Sequence, residues 1–76
     1  MAVLKTKIRE LRKDVNMNQS DLAEKVGVRR ETIGALENGK YNPSLKLAMD
    51  IAKIFNKRVE DIFEFIEWYF CLKRYN

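Results

Sequence analysis

The chain has 76 residues, a formal net charge of +4 at pH 7 and a hydrophobic share of 46%; these values predict one small, folded, basic domain and exclude a disordered or fibrous chain. It has no His and one Cys, which excludes Cys/His zinc sites, internal disulfides and His-dependent nucleophilic catalysis. The sequence has neither a membrane-spanning apolar stretch nor a signal-peptide pattern. We therefore expect a soluble cytoplasmic protein that is not an enzyme and uses no cofactor, metal or membrane.

A first helix is predicted over residues 6–15. Its apolar residues recur at helical spacing, at Ile8, Leu11 and Val15. Thr6 is suited to cap the N-terminus of this helix, and Asn16 tolerates the left-handed conformation that would end it. We expect the face that carries the apolar residues to be buried.

Two further short helices, joined by a turn, are predicted over residues 19–38. The first runs over residues 19–26, with Asn18 or Gln19 as N-cap and Gly27 as its end. The second runs over residues 30–38. Their inward faces carry Leu22, Ala23, Val26, Ile33 and Leu36. A Gly-containing turn of this length between two such helices is typical of a helix-turn-helix.

The outward face of the third predicted helix mixes polar and very small residues: Arg30, Glu31, Gly34, Ala35 and Asn38. Gly inside a helix costs about 1 kcal/mol relative to Ala. Gly34 is therefore better explained by close approach to another surface than by helix stability. The major groove of DNA is such a surface, so this face predicts DNA binding.

The remaining elements are predicted from residue 44 onward. A fourth helix over residues 44–55 starts after Pro43 and has a wide apolar face, which predicts heavy burial. A short fifth helix follows near residues 59–62. Residues 63–68 alternate aromatic or β-branched residues with charged ones, as in a strand, and residues 3–5 are its expected partner. The predicted fold is all-α, with five helices and a minor two-strand antiparallel sheet of the N- and C-terminal segments.

Six short motifs occur in a fixed order: Asn18-Gln19-Ser20-Asp21-Leu22-Ala23, Val26-Gly27-Val28, Glu31-Thr32-Ile33, Leu36-Glu37-Asn38-Gly39-Lys40, Tyr41-Asn42-Pro43-Ser44-Leu45 and Asp61-Ile62-Phe63. Over about residues 5–65 the chain thereby resembles the small single-domain Cro/cI-like helix-turn-helix regulators, the Xre family. The resemblance implies a lambda-repressor-like domain over residues 1–65 that binds operator DNA as a dimer. Residues 66–76 lie outside it and form an aromatic extension.

The resemblance also implies which residues meet DNA. The base-reading positions are Arg29, Arg30, Glu31, Thr32 and Ala35. The phosphate-binding positions are Arg9, Gln19, Asn38 and Lys40. Arg30 can donate to guanine O6 and N7, Glu31 can accept from cytosine N4, and Thr32 can contact a thymine methyl group. The alternatives are a solvated surface for the two arginines and ordinary helix-end roles for Gln19 and Asn38.

Four positions either have a structural role or depart from the usual pattern of the family. Arg12 and Glu37 match a partly buried ion pair in similar proteins, and we assign both a structural role. Arg29 stands where many family members have a Ser N-cap, so we expect the third helix to lack a capping hydrogen bond. Glu31 replaces a common Gln, which predicts an operator different from those of relatives.

The aromatic C-terminal segment is the second candidate functional region. It offers more apolar surface than a chain of this size can hide by itself, which predicts a homodimer interface. The residues expected there are Phe63, Phe65, Ile66, Trp68 and Tyr69. The alternatives are a tail folded back on its own domain and a docking patch for another protein.

The sequence therefore predicts a sequence-specific regulator that binds double-stranded DNA. We expect a repressor that binds a two-fold operator as a homodimer. The alternative is an antitoxin-type interaction protein, which would regulate its own synthesis through the helix-turn-helix and bind a partner protein through its C-terminal segment.

Overall fold

The elements follow one another as the sequence patterns predict. In the computed structural model, which describes residues 2–67, strand β1 (Ala2–Thr6) comes first and strand β2 (Phe63–Glu67) comes last. Between them lie five helices: α1 (Ile8–Asp14), α2 (Gln19–Val26), α3 (Arg30–Glu37), α4 (Leu45–Phe55) and α5 (Val59–Ile62). The prediction of five helices with a minor two-strand antiparallel sheet is confirmed.

Local chemistry sets the ends of α2. The Asn18 side chain accepts a hydrogen bond from the Asp21 backbone N–H at 2.7 Å, and the Asp21 carboxylate accepts one from the Asn18 backbone N–H at 3.2 Å. This reciprocal cap satisfies two N–H groups that the helix itself cannot pair. Gly27 ends α2 at φ +74°, which is the left-handed conformation that Gly adopts without a steric penalty.

The first helix is shorter than predicted. Thr6 lies in β1, paired with Phe63, and Lys7 occupies the N-cap position of α1. The Lys7 backbone N–H donates to the Ile62 carbonyl at 2.9 Å, so pairing with the far end of the chain decides where α1 begins. Val15 is 57% exposed and lies outside the core. Asn16 has φ +54°, as expected for the end of this helix.

The helix α4 buries only one of its faces. Ser44 Oγ accepts from the Leu47 backbone N–H at 3.1 Å and caps the helix. The residues buried on its inner face are Leu47, Ala48, Ile51 and Ala52. Leu45 is 73% exposed and Met49 is also exposed. The expected heavy burial is therefore wrong for this side of α4, because no element of residues 2–67 packs over these two side chains.

One hydrophobic core joins all five helices. Its buried members are Ile8, Leu22, Ala23, Ile33, Leu36, Leu47, Ile51, Ala52 and Ile62. The sheet packs on this core through Phe63, and Leu4 of β1 is buried as well. In the antiparallel register Leu4 pairs with Phe65 and Val3 pairs with Ile66, so β2 crosses the boundary that the resemblance places after residue 65.

The sheet and α3 touch at Gly39. This residue has φ +71°, and a Cβ at its position would lie 2.5 Å from the Leu4 carbonyl oxygen. Only Gly fits such an approach, so the end of α3 rests directly on β1.

Among the helices of residues 2–67, none combines the length and apolar character that crossing a bilayer requires.

Candidate nucleic-acid interface

The helices α2 and α3 form a helix-turn-helix around shared core residues. Leu22 and Ala23 of α2 pack with Ile33 and Leu36 of α3 in the same buried cluster. Because these residues occupy the inner faces, the opposite face of α3 is left toward solvent. A charged face on the second helix of such a pair can enter a major groove.

The five predicted base-reading residues lie in the N-terminal part of α3 and its cap. Arg29, Arg30 and Glu31 are exposed, whereas Thr32 and Ala35 are half-buried. Arg29 occupies the N-cap position with no side-chain capping hydrogen bond, as its substitution for a small polar residue predicts. The Arg30 side chain is 56% exposed, and its Nη2 lies 3.9 Å from Glu31 Oε2.

The predicted phosphate contacts lie at two places, the start of α2 and the C-terminal end of α3. Arg9 of α1 reaches the C-terminal end of α3, where its Nη2 donates to Asn38 Oδ1 at 3.3 Å and its Nε donates to Glu37 Oε1 at 3.4 Å. Lys40 is exposed just beyond α3. Gln19 begins α2, where its side chain accepts from Arg30 and donates to the same Glu37 oxygen as Arg9 does. Glu37 therefore connects Gln19 to the side chains at the C-terminal end of α3.

A buried ion pair underlies this surface. Arg12 Nε lies 2.6 Å from Glu37 Oε2, and Arg12 Nη1 donates to the Met17 carbonyl at 2.8 Å. The Glu37 side chain has 0% exposure. Burial raises the pKa of the Glu37 carboxyl, but hydrogen bonds from Arg12, Gln19 and Arg9, together with the Arg12 charge, outweigh it and hold the pKa below its ordinary value.

Sequence reasoning missed the contacts of Gln19. Its Nε2 donates to Glu37 Oε1 at 2.9 Å, and its Oε1 accepts from Arg30 Nη1 at 3.3 Å. The sequence holds one signal of this arrangement, since Gln19 and Arg30 are the first residues of the two helices of the motif. The turn places these helix starts close enough for their side chains to meet.

The position of Gly34 also differs from the expectation. A Cβ there would lie 3.7 Å from Gln19 Nε2 and 3.8 Å from Gln19 Oε1, which are ordinary contact distances. Gly34 therefore faces the Gln19 amide of α2 and not a free surface. Close approach to DNA is not needed to explain why this residue is small.

The predicted dimer residues lie in different surroundings. Phe65 is 56% exposed and Ile66 is half-buried. Phe63 packs against the core of its own chain directly after Ile62, a member of that core, whereas Phe65, two residues further along the same face of β2, is not buried in this way. Trp68 and Tyr69 lie outside the described residues.

Across residues 2–67 no three His, Cys, Asp or Glu side chains are grouped so that they could hold a metal ion.

Comparisons with known proteins agree with this geometry. The helix-turn-helix family model matches residues 8–62. An HTH-type transcriptional regulator of Archaeoglobus fulgidus is 61% identical over 64 residues, which cover 84% of this chain and 90% of the relative.

Two solved structures have similar folds. The transcriptional regulator VanUg aligns with a TM-score of 0.71 and 29% identity over 86% of this chain and 87% of its own. The restriction-modification controller protein C.AhdI from Aeromonas hydrophila aligns with a TM-score of 0.66 and 29% identity over 72% of this chain and 83% of its own. Since the family model matches well over half of the sequence, the chain belongs to the helix-turn-helix family of Cro/cI-like (Xre) DNA-binding transcriptional regulators.

Proposed function

We propose that this chain is a cytoplasmic repressor that binds a two-fold operator as a homodimer. The observation that carries the proposal is the exposed, charged N-terminal part of α3 on the second helix of the helix-turn-helix. A repressor of this kind acts by covering promoter DNA. The restriction-modification controller with a similar fold supports a regulatory role for a single domain of this size.

Base reading is assigned to the exposed part of α3. Arg30 donates to the O6 and N7 of a guanine, and Glu31 accepts from a cytosine N4, each pair discriminating against a wrong base by about 1–3 kcal/mol. Thr32 contacts a thymine methyl group. Arg29 and Ala35 complete the set at the two edges of this surface.

Phosphate contacts are assigned to the side chains that flank α3. Arg9 and Asn38 already touch each other at one end, with Lys40 beside them. Gln19 supplies an N–H at the start of α2, where backbone N–H groups also favour an anion. These contacts set the register of the protein on the duplex and make its affinity fall steeply with salt.

The homodimer is proposed from the apolar residues of the sheet. Phe65 and Val3 are both more than half exposed, and strand alternation places them on opposite faces of the sheet. Packing one of these faces against a second copy would cover its apolar side chain and place two α3 helices in successive major grooves, about 34 Å apart along the duplex. Sedimentation at micromolar concentration tests this step, since a monomer would contradict it.

The decisive experiment is selection of bound sequences from a random duplex pool at near-physiological salt. The wild-type protein should enrich a two-fold site, and Arg30→Ala should lose the preference at one symmetric base pair. Lys53→Ala is the matched control, because it removes an exposed charge from α4 instead of α3. A folded wild-type protein that enriches no sequence would refute the proposed function.

A further inference from the structure

The end of α4 and the start of α5 enclose an open pocket of about 300 Å³. On one side it is lined by residues at helical spacing on one face of α4, namely Met49, Ala52 and Lys53. On the other side it is lined by the turn and the first residue of α5, namely Lys57, Arg58 and Val59. None of these residues belongs to the surface assigned to DNA.

The turn after α4 brings the two sides of the pocket together. Asn56 has φ +53° and ends the helix in the left-handed conformation. The Lys57 backbone N–H then donates to the Ala52 carbonyl at 3.0 Å, which holds the chain against the last turn of α4. The shape of the pocket is therefore set by the backbone of the chain itself.

The floor and one wall of the pocket are apolar. Ala52 is buried and Val59 packs against the core, while Met49 is 46% exposed beside them. Such a surface favours contact with an alkyl or aromatic group over contact with water. A volume of about 300 Å³ is at the lower end of the range for small-molecule sites, so the apolar group must be short.

The rim of the pocket is cationic. Arg58 donates to the Asp61 carboxylate through Nε at 3.2 Å and through Nη2 at 3.3 Å, so its charge is already paired. Lys53 and Lys57 are exposed, and neither forms an ion pair with a carboxylate of residues 2–67. Two ammonium groups beside an apolar floor match a ligand with a negative charge at one end and an apolar body at the other.

Other occupants match this combination less well. A second copy of the chain, placed here about a two-fold axis, would bring Lys53 and Lys57 against their own counterparts, and like charges oppose such a contact. A DNA phosphate would meet the ammonium groups but would leave the apolar floor exposed to water.

We propose that this pocket binds a small carboxylate with a short alkyl or aryl body. The body lies on Met49, Ala52 and Val59, and the carboxylate accepts hydrogen bonds from the ammonium groups of Lys53 and Lys57. The inference goes beyond the proposed function, because this part of α4 and α5 takes no part in the proposed DNA contacts.

The methyl group of Met49 reports on binding directly. In the full chain with isotope-labelled methionine methyl groups, Met49→Leu identifies the Met49 signal in the NMR spectrum, and octanoate is the probe. We expect octanoate to shift this signal saturably, with a dissociation constant of about 1 mM or tighter. The signal of Met17, which lies outside the pocket, should not move. Octylamine has a similar body and the opposite charge, and it should bind about 5-fold more weakly or worse.

Lys53→Gln tests the cationic rim. We expect it to weaken octanoate binding by about 2- to 5-fold, the value of one exposed ion pair, and to leave the binding of uncharged octanol unchanged. Lys46→Gln is the matched control, because it removes the same charge from the same helix, but Lys46 pairs with Asp50 outside the pocket. This control should bind octanoate as the wild-type protein does.

Three results would overturn the inference: no saturable shift of the Met49 signal, equal affinity for octanoate and octylamine, or equal binding by the two lysine variants. Inorganic phosphate that displaces octanoate at equal concentration would also overturn it, because the pocket would then accept any anion. None of these measurements contains DNA, so each of these failures leaves the proposed function as it stands.

Discussion

Replacing Arg12 by Met tests the buried ion pair most directly. The substitution removes the donor at 2.6 Å from Glu37 Oε2 and the donor at 2.8 Å from the Met17 carbonyl. Gln19 and Arg9 still donate to Glu37 Oε1, so the carboxylate keeps part of its support. Breaking a buried pair on one side costs about 3–5 kcal/mol. The remaining donors place the expected loss of unfolding free energy near the lower end, at about 3 kcal/mol.

The double variant Arg12→Met with Glu37→Met separates this cause from a general loss of packing. It removes both charges and fills the site with apolar side chains of similar length. Such replacements of a whole buried pair are often neutral or stabilising. We therefore expect the double variant to be more stable than Arg12→Met alone, a strong departure from additivity.

Urea unfolding followed by circular dichroism at one fixed protein concentration gives these free energies. A loss below about 1 kcal/mol for Arg12→Met would refute the assignment of a desolvated pair. A double variant less stable than either single one would refute it as well. Because about 3 kcal/mol is a large share of the stability of a small domain, loss of DNA binding by Arg12→Met would not by itself indicate a DNA contact.

Three further predictions concern pH and glycine. The pKa of Glu37 lies below its ordinary value of 4.5, so its ionised form adds stability above that pH. This contribution is lost as the pH falls through the folded-state pKa. Between neutral pH and about pH 2, the urea midpoint should therefore fall more for the wild-type protein than for the double variant Arg12→Met with Glu37→Met. Gly39→Ala should cost about 1–3 kcal/mol of unfolding free energy, since it combines a positive φ with a clash against the Leu4 carbonyl. Gly27→Ala is its control, because a Cβ there has the same strained φ but meets nothing within 4 Å, and an equal cost for both variants would contradict the role of the clash. Gly34→Ala should stabilise α3 by up to about 1 kcal/mol, and a measured loss of stability would show that the Gln19 amide cannot accommodate the methyl group.

The parts of the fold that depend on local chemistry could be predicted from the sequence. Asn18, Gly27 and Ser44 cap or end helices where their side chains or backbone preferences indicate. The buried stripes of α2 and α3 follow helical spacing in the same way. The sheet could be predicted as well, because aromatic and charged residues alternate over residues 63–68 as in a strand, and residues 3–5 offer a partner strand.

The parts that depend on distant segments could not be predicted. Thr6 has the chemistry of an N-cap, but pairing with Phe63 places it in a strand. Leu45 fits an apolar helical stripe, but periodicity does not tell how many layers cover a helix. The contacts of Gln19 depend on how two helices cross, and no spacing in the sequence encodes that angle.

The sheet also affects the order in which the molecule assembles. Strands β1 and β2 join segments on the order of 60 residues apart, whereas neighbouring helices are connected by short loops. Contacts between neighbouring helices close short loops and are expected to form early. The pairing of β1 with β2 must first overcome the larger entropy cost of closing a long loop. Gly39 approaches the β1 backbone at Leu4, so we expect the C-terminal end of α3 to become fixed late in folding, when β2 holds β1 in place.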